Sequence, residues 1–287
     1  MIKNNVFLFF SIFLIKILII NLYAQNKYKI DAILDDKKQT VTASQTITFL
    51  NTTEGPIEKI YINDWANAYE GTESQLVKHL ANQFNRSFYF SAKNKLGFSK
   101  INEIRIKESK LQWSYFNQQL DIIELSLSKP LKKGEELIIY LKYKIKIPDD
   151  KFTGFGIGLN NKILFRDFFL SISPYIDGKW ILNSNLGLRD NSHVPSEYEV
   201  NWKYGKDYFL ESNLENIERD TLSKDINTSK WISNALSSPE FVFEKENRFQ
   251  TITLDDEFKI TTDILPRKNS DDEINESIKK IYNFTNQ

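Results

Sequence analysis

The stretch LIIYLKYKIKI at residues 137–147 decides the fold, because apolar side chains occupy every second position from Leu137 to Ile147. Successive side chains of a β-strand point to opposite faces, so this spacing predicts a strand with one apolar face. Most of the intervening positions are polar, which favours an antiparallel sheet with one solvated face. Pro148 then ends the strand, since proline cannot donate to a sheet ladder.

The same alternation extends along the chain in both directions. Residues 28–34 and 40–50 flank the turn at 35–38 and predict a β-hairpin. Further strands are predicted at residues 57–63, 101–106, 111–116, 122–127, 163–165, 198–204, 209–214, 249–254 and 259–265. The predicted fold class is therefore mainly β, an antiparallel β-sandwich with few helices.

Helical spacing is confined to a few places. Residues 74–90 predict one or two short helices that begin at Ser74, and residues 229–236 predict a short helix or a turn. Near the C-terminus, Ser270 is a predicted N-cap, and an amphipathic helix is predicted to follow. Residues 266–287 thus form a linker and a helix, which fits the start of a further domain.

The first residues have the pattern of a targeting segment. Residues 1–24 combine a short positive start, an almost wholly apolar run at 6–20, and Ala24 before a cleavage point, as in a secretory signal peptide. The alternative is an uncleaved membrane anchor in which Lys16 snorkels. Both interpretations export the rest of the chain, to the periplasm or outside the cell, with residues 25–265 as one β-domain. Membrane contact is expected only through residues 1–24, if they stay attached.

The composition excludes several function classes. The 287 residues include 38 basic and 38 acidic side chains, so the chain lacks the basic excess with which nucleic-acid binders neutralise phosphates. It has no cysteine, which excludes disulfides, thiolate metal sites and cysteine nucleophiles. Its two histidines, His79 and His193, do not form the His-Glu-x-x-His motif of zinc peptidases. We therefore expect no catalytic residue, metal or cofactor in this chain.

Two weaker motifs have structural explanations. Gly154, Gly156 and Gly158 lead into a turn and a strand rather than a phosphate-binding helix, so we interpret them as close-packing or bulge positions. Paired aspartates suggest calcium, but no twelve-residue ligand loop surrounds any pair, and solvated turns or helix starts explain them better. The pairs lie at residues 35–36, 149–150, 255–256 and 271–272.

The order of the segments resembles the N-terminal domain of aminopeptidase N-like zinc metallopeptidases, in the exported form of Bacteroidetes-type bacteria. The resemblance rests on short motifs: YKIDAILD at 28–35, TITFLNT at 46–52, IYIN at 60–63, NAY at 67–69, LKKGE at 131–135, SPYIDGKW at 173–180 and YEV at 198–200. It covers roughly residues 27–265. The family's Gly-x-Met-Glu-Asn and zinc motifs, which lie in its next domain, are absent here.

This resemblance implies a saddle-like β-domain that covers the active-site cleft of a zinc aminopeptidase and helps to shape the pocket for a substrate N-terminus. It places the loop residues 165–180 at the cleft, with five candidate contacts: Arg166, Pro174, Tyr175, Asp177 and Trp180. The implied partner is a catalytic metallopeptidase domain, fused or separate. That domain would hold the zinc and bind the peptide substrate.

Two other functions remain open from the sequence. A stand-alone exported β-sandwich could bind glycan or protein through a platform of exposed tryptophans, for which Trp65, Trp113 and Trp180 are the candidates. An independent hydrolase could use Asp190, Ser192 and His193, although no Gly-x-Ser-x-Gly elbow accompanies them. The exposure of the tryptophans and the partners of His193 distinguish these alternatives.

Overall fold

The computed structural model describes residues 26–188, 193–254, 259–262 and 276–282, and within these ranges the chain is dominated by strands. The strands are β1 (Asn26–Asp35), β2 (Thr40–Leu50), β3 (Ile57–Asn63), β4 (Phe98–Ile106), β5 (Ser109–Lys110), β6 (Trp113–Tyr115), β7 (Ile122–Leu131), β8 (Glu136–Lys146), β9 (Gly156–Ile157), β10 (Ile163–Arg166), β11 (Ser171–Ile172), β12 (Tyr175–Ile176), β13 (Lys179–Trp180), β14 (Ser196–Gly205), β15 (Phe209–Ser212), β16 (Glu215–Ser223), β17 (Ile226–Leu236), β18 (Glu240–Glu244), β19 (Gln250–Thr253) and β20 (Lys259–Thr262).

The helices are short and lie between strands. Helix α1 spans Gln75–Asn82, and the Ser74 hydroxyl caps it by accepting a hydrogen bond from the Val77 N–H at 3.2 Å, as the sequence predicts. Short 3-10 helices occur at Trp65–Tyr69, Lys93–Lys95, Phe116–Gln118, Asp150–Phe152 and Leu159–Asn161, and residues 276–282 are helical. In the described ranges, none of the helices has the length and apolar character needed to cross a bilayer.

The largest sheet has eight strands in the order β16-β17-β14-β1-β2-β8-β4-β5. Strands β2 and β8 pair antiparallel over their whole length, from Thr40 opposite Lys146 to Leu50 opposite Glu136. Residues directly opposite each other share a face, so the apolar positions of both strands lie on one side and are buried. The alternation that predicts the fold from residues 137–147 is therefore confirmed.

One pairing departs from the antiparallel expectation. β1 pairs antiparallel with β2, but it pairs parallel with β14, and residues 27–33 lie beside residues 197–203. A parallel pair needs a crossover connection, and here the whole of the chain between the two strands supplies it. The other pairs of named strands in the described ranges are antiparallel.

Two four-stranded sheets, β11-β3-β7-β6 and β15-β18-β10-β9, contribute to the same apolar core as the large sheet. Trp202 of β14 lies 5.0 Å from Phe243 and 5.4 Å from Phe241, both on β18, measured between ring centroids. A polar residue is also buried in this core: Gln45 donates to the Leu170 carbonyl at 2.7 Å and accepts from the Tyr143 hydroxyl at 2.5 Å. These layers of sheet form the predicted sandwich.

A second, smaller apolar cluster lies beside the 3-10 helix Trp65–Tyr69. It contains Ala68, Tyr69, Leu76, Val77, Leu80, Phe88 and Phe152. Helix α1 buries its apolar stripe there, which explains why a helix is maintained within a β fold.

One predicted element is wrong. Residues 229–236 are not a short helix or a turn but part of β17, which lies between β14 and β16 in the large sheet. Ser229 and Trp231 face the core on this strand and are buried. Pairing with both neighbours decides the conformation against the ambiguous local pattern. The predictions at residues 1–24, Ser270, the two aspartate pairs at 255–256 and 271–272, and residues 263–265 lie outside the described residues.

Candidate functional site

The five predicted cleft residues lie in one segment that begins at the end of β10. Arg166 is the last residue of β10, and β11 then pairs with β3. Pro174 is buried, and a small hairpin of β12 and β13 follows, with Tyr175 opposite Trp180. The chain then runs to residue 188 without regular structure. We call residues 166–188 the strap.

The hairpin of the strap has a defined tip. Asp177 and Gly178 both have positive φ, 50° and 76°, which is the conformation of a tight two-residue hairpin turn. The Ile181 N–H donates to the Pro174 carbonyl at 2.8 Å and closes the base. Ile176, Asp177 and the turn are exposed, so the strap presents this tip to solvent.

Aromatic side chains fix the base of the hairpin to the core. The half-buried Trp180 ring lies 4.8 Å from Tyr175, 5.5 Å from Tyr61 and 6.2 Å from Phe49. The Tyr61 hydroxyl donates to Glu124 at 2.8 Å, and burial raises the pKa of Tyr61 to about 12, with the Glu124 charge contributing. Trp180 therefore anchors the hairpin whose turn is formed by Asp177 and Gly178.

Arg166 belongs to a different group of side chains from the hairpin. Its Nε lies 3.3 Å from a Glu240 carboxylate oxygen and 3.9 Å from Asp167. The Asp167 side chain is 5% exposed, its φ is 58°, and its Oδ1 accepts from the Ser238 hydroxyl at 2.5 Å. His193 Nε2 lies 2.7 Å from the same oxygen. We call Arg166, Asp167, His193, Ser238 and Glu240 the Asp167 cluster.

The Asp167 cluster does not have the geometry of a nucleophile site. In such a site the histidine accepts the serine proton, whereas here Ser238 and His193 both bond to the carboxylate. The His193 ring also packs on Trp65, with 4.8 Å between ring centroids. The predicted partners Asp190 and Ser192 lie outside the described residues. His193, which shortly precedes β14, thus contacts both Trp65 and Asp167 of the strap.

The buried Asp121 carboxylate holds the second half of the strap, and Asp64, whose carboxylate is also buried, bonds to Asp121 through the backbone. The Asp121 carboxylate accepts from the Ser184 hydroxyl at 2.9 Å and from the Asn185 N–H at 2.8 Å. Trp65 adds a bond from its Nε1 to the Asn183 carbonyl at 2.9 Å. The Asp64 N–H donates to the Asp121 carbonyl at 2.8 Å, and the Asp64 carboxylate accepts from the Ser99 hydroxyl.

Burial shifts the pKa values of both of these carboxylates. It raises the pKa of Asp64 to about 7, and the negative charges of Asp121 and Glu70 act in the same direction, against the hydrogen bond from Ser99. Burial raises the pKa of Asp121 to about 6, against the bonds from Asn185 and Ser184. The sequence analysis missed both residues, although each aspartate directly adjoins an apolar strand, which was the available signal.

The described residues do not fit a zinc ion. Within the ranges that the structure describes, His, Asp and Glu side chains do not gather in a group of three or more that could hold a metal. His79 lies on α1, and its Nε2 is 3.0 Å from Gln83 Nε2. His193 bonds to Asp167.

The glycine motif and the two described aspartate pairs have the predicted structural explanations. A Cβ at Gly156 would lie 2.2 Å from the Pro148 carbonyl oxygen, so the position is a close approach of two backbones. A strand, β10, follows the motif and its turn. Residues 35–36 lie at the end of β1, and Asp149 caps the 3-10 helix Asp150–Phe152.

The tryptophans divide into two groups. Trp65, Trp202 and Trp231 are buried in the core, which removes Trp65 from the suggested binding platform. Trp113 and Trp180 are half-buried and pack against the core, Trp113 with Tyr115 and Trp180 at the base of the hairpin. The platform interpretation therefore retains two anchored side chains and no freely exposed tryptophan in the described residues.

Comparisons with known proteins identify a shared fold. No family model and no curated protein matches the sequence. The chain is similar in structure to an M1 zinc metallopeptidase from Deinococcus radiodurans, with a TM-score of 0.53 and 11% identity over 90% of this chain and 52% of that chain. A mutant of that peptidase gives a TM-score of 0.52 at 12% identity, and the mutant bound to a Tyr-Ser-Ala substrate gives 0.51 at 12%, with the same coverage. The chain thus spans about half the length of these peptidases, and the predicted resemblance is confirmed for the fold.

Proposed function

We propose that this chain is the non-catalytic N-terminal β-domain of an exported aminopeptidase-like zinc metallopeptidase. The observation that supports the proposal most is the fold shared over 90% of this chain with 52% of an M1 zinc metallopeptidase. The motifs at residues 28–35, 46–52 and 173–180 resemble the N-terminal domain of that family. The signal-like pattern of residues 1–24 supports export.

In this proposal the chemistry belongs to a partner domain, fused or separate. The chain has no His-Glu-x-x-His motif, and its described residues offer no group of ligands for zinc. The catalytic domain would supply the zinc, which polarises the peptide carbonyl and activates water. The present chain would supply a surface over the cleft.

The strap is the part of the chain suited to that role. Its tip carries Asp177 in an exposed turn, and a carboxylate there could pair with the ammonium group of a peptide N-terminus. Trp180 and Asp121 fix the strap on both sides of the tip, which reduces the conformational entropy lost on binding. Arg166 would act indirectly, through its ion pairs with Glu240 and Asp167.

A kinetic comparison tests the proposal. The chain alone, supplied with zinc, should not hydrolyse aminoacyl amides, and zinc-dependent turnover by it would contradict the assignment. In the polypeptide or complex that carries the catalytic domain, Asp177→Asn should raise KM for an unblocked peptide with little change in kcat. Asp207→Asn, at an exposed position on the loop before β15, is the matched control. Equal kinetics for both variants would remove the tip from substrate binding.

A further inference from the structure

The most exposed apolar side chains of the described residues lie on two neighbouring loops. Leu159 is 90% exposed, Phe84 is 89% exposed and Phe90 is 83% exposed, whereas the next value is 65%. Tyr89 adds a further half-exposed ring at 52%. We call these four side chains the apolar tip. Single exposed apolar residues are ordinary, but a group of large ones marks an interaction site.

The two loops meet at a stacked aromatic pair. Phe88 points inward from the first loop and stacks on Phe152 with 3.9 Å between ring centroids. Two residues before Phe152, the Asp150 carboxylate lies against Gly158, where a Cβ would be 2.2 Å from the oxygen. Leu159 follows Gly158 directly. The first loop is also tied to this region by the Asp149 N–H, which donates to the Lys95 carbonyl at 2.9 Å.

Backbone turns hold the apolar tip outward. Phe84 has a φ of 61°, and its N–H donates to the Ala81 carbonyl at 3.0 Å, which ends α1. Asn160 and Asn161, directly after Leu159, have φ values of 57° and 58°. Left-handed backbone is unfavourable for a phenylalanine, so the exposed position of this ring is set by the fold. The apolar tip is therefore already formed before any partner binds.

The loop that carries Phe84 and Phe90 is basic. From Ser74 to Asn102 the sequence has no acidic residue and five exposed cations: Lys78, Arg86, Lys93, Lys95 and Lys100. Lys95 pairs with Asp149 at 3.0 Å, and Lys78 is 3.9 Å from Glu73. On the second loop, Asp150 is accompanied by Lys151 and Lys162, and Lys162 pairs with Glu244 at 3.0 Å. Around Leu159 the charges balance, with Asp150, Glu244 and Glu246 beside Lys162, Lys245 and Arg248, so the excess of cations belongs to the loop that carries Phe84 and Phe90.

We propose that the apolar tip docks on the surface of an anionic phospholipid membrane. Phe84, Phe90 and Leu159 would enter the interface between headgroups and acyl chains, where aromatic and apolar side chains are favoured. Arg86 and Lys93 would contact the lipid phosphates. A dimer of this chain formed through the apolar tip would bring like charges together, which disfavours self-association through this surface. The proposal is independent of a peptidase function.

Site-specific fluorescence tests this docking in the full chain. Because the sequence has no cysteine, Phe84→Cys and Leu159→Cys each create a single position for a polarity-sensitive label. Leu222→Cys is the matched control, since Leu222 is 60% exposed on β16, at the edge of the large sheet opposite β4 and β5. With vesicles containing about 30% phosphatidylglycerol in phosphatidylcholine, labels at the tip should brighten roughly three-fold and the control label should not. Membrane association through residues 1–24 alone would leave all three labels in water.

Charge-reversal variants and high salt measure how much of the binding to anionic vesicles is electrostatic. Arg86→Glu with Lys93→Glu, or salt near 1 M, should reduce the response of the tip labels to anionic vesicles, because screening is strong at that concentration. An unchanged emission at Phe84→Cys and Leu159→Cys would overturn the proposal, as would an equal response to pure phosphatidylcholine. Brightening that appears without vesicles and grows with protein concentration would show that a second copy covers the tip, and would also overturn it.

Discussion

Replacing Asp64 by asparagine tests whether this buried carboxylate makes the stability of the fold depend on pH. Burial raises the pKa of Asp64 from the usual 3.8 to about 7, so the folded protein holds this proton more tightly than the unfolded chain. Protonation of Asp64 therefore stabilises the fold. This contribution is fully present below pH 3.8 and is lost as the pH rises through about 7.

The size of the effect follows from the two pKa values. The separation between 3.8 and about 7 corresponds to about 4 kcal/mol in total, of which a little more than half falls between about pH 5 and pH 8. Asp64→Asn keeps an oxygen that can accept from the Ser99 hydroxyl, but it has no titrating proton. The variant should therefore gain stability relative to the wild type by about 2 to 3 kcal/mol as the pH rises over this range.

Denaturant unfolding at a series of pH values between about 5 and 8 measures this difference directly. The quantity to follow is the free energy of unfolding of Asp64→Asn minus that of the wild type. Asp177→Asn is the control, because Asp177 is exposed and asparagine tolerates its φ of 50°. It should follow the wild-type curve. Parallel curves for Asp64→Asn and the wild type would show that Asp64 does not hold its proton in the fold, and would refute the reasoning.

Two further predictions concern single contacts. Gly156→Ala should destabilise the fold by at least about 2 kcal/mol, because its φ is 117° and the new Cβ would meet the Pro148 carbonyl; Gly55→Ala, with nothing within 4 Å, should be nearly neutral, and similar unfolding midpoints would contradict this. Asp121→Ala should cost about 2 kcal/mol and speed amide exchange at residues 181–188, because Ser184 and Asn185 lose their acceptor. Unchanged exchange there would show that Asp121 does not hold the strap.

The local sequence pattern was sufficient to predict the strands in which apolar and polar side chains alternate clearly. The residues of β1, β2 and β8 are buried on one face and solvated on the other, and this alternation is visible in the sequence. It failed where the contacts that decide the conformation come from other strands. Residues 229–236 form a strand because β14 and β16 flank them, and residues 215–223 form β16 although all nine side chains are exposed.

The candidate site was predictable only in part. The tight turn at Asp177 and Gly178 and the neighbouring aromatic residues can be read from SPYIDGKW, because aspartate and glycine favour that turn. The supports of the strap could not be read in this way. Asp121 precedes Ser184 and Asn185 by more than sixty positions, and Asp167 meets His193 and Ser238 from distant segments.

The mainly β fold, the antiparallel hairpins, the cap of α1 and the absence of a zinc motif were all readable from the amino-acid sequence, because each depends on residues within about ten positions of one another. Three features required the folded structure: the parallel pairing of β1 with β14, the raised pKa values of Asp64 and Asp121, and the high exposure of Phe84, Phe90 and Leu159. These features depend on burial and on contacts between distant segments, and a linear pattern contains neither quantity.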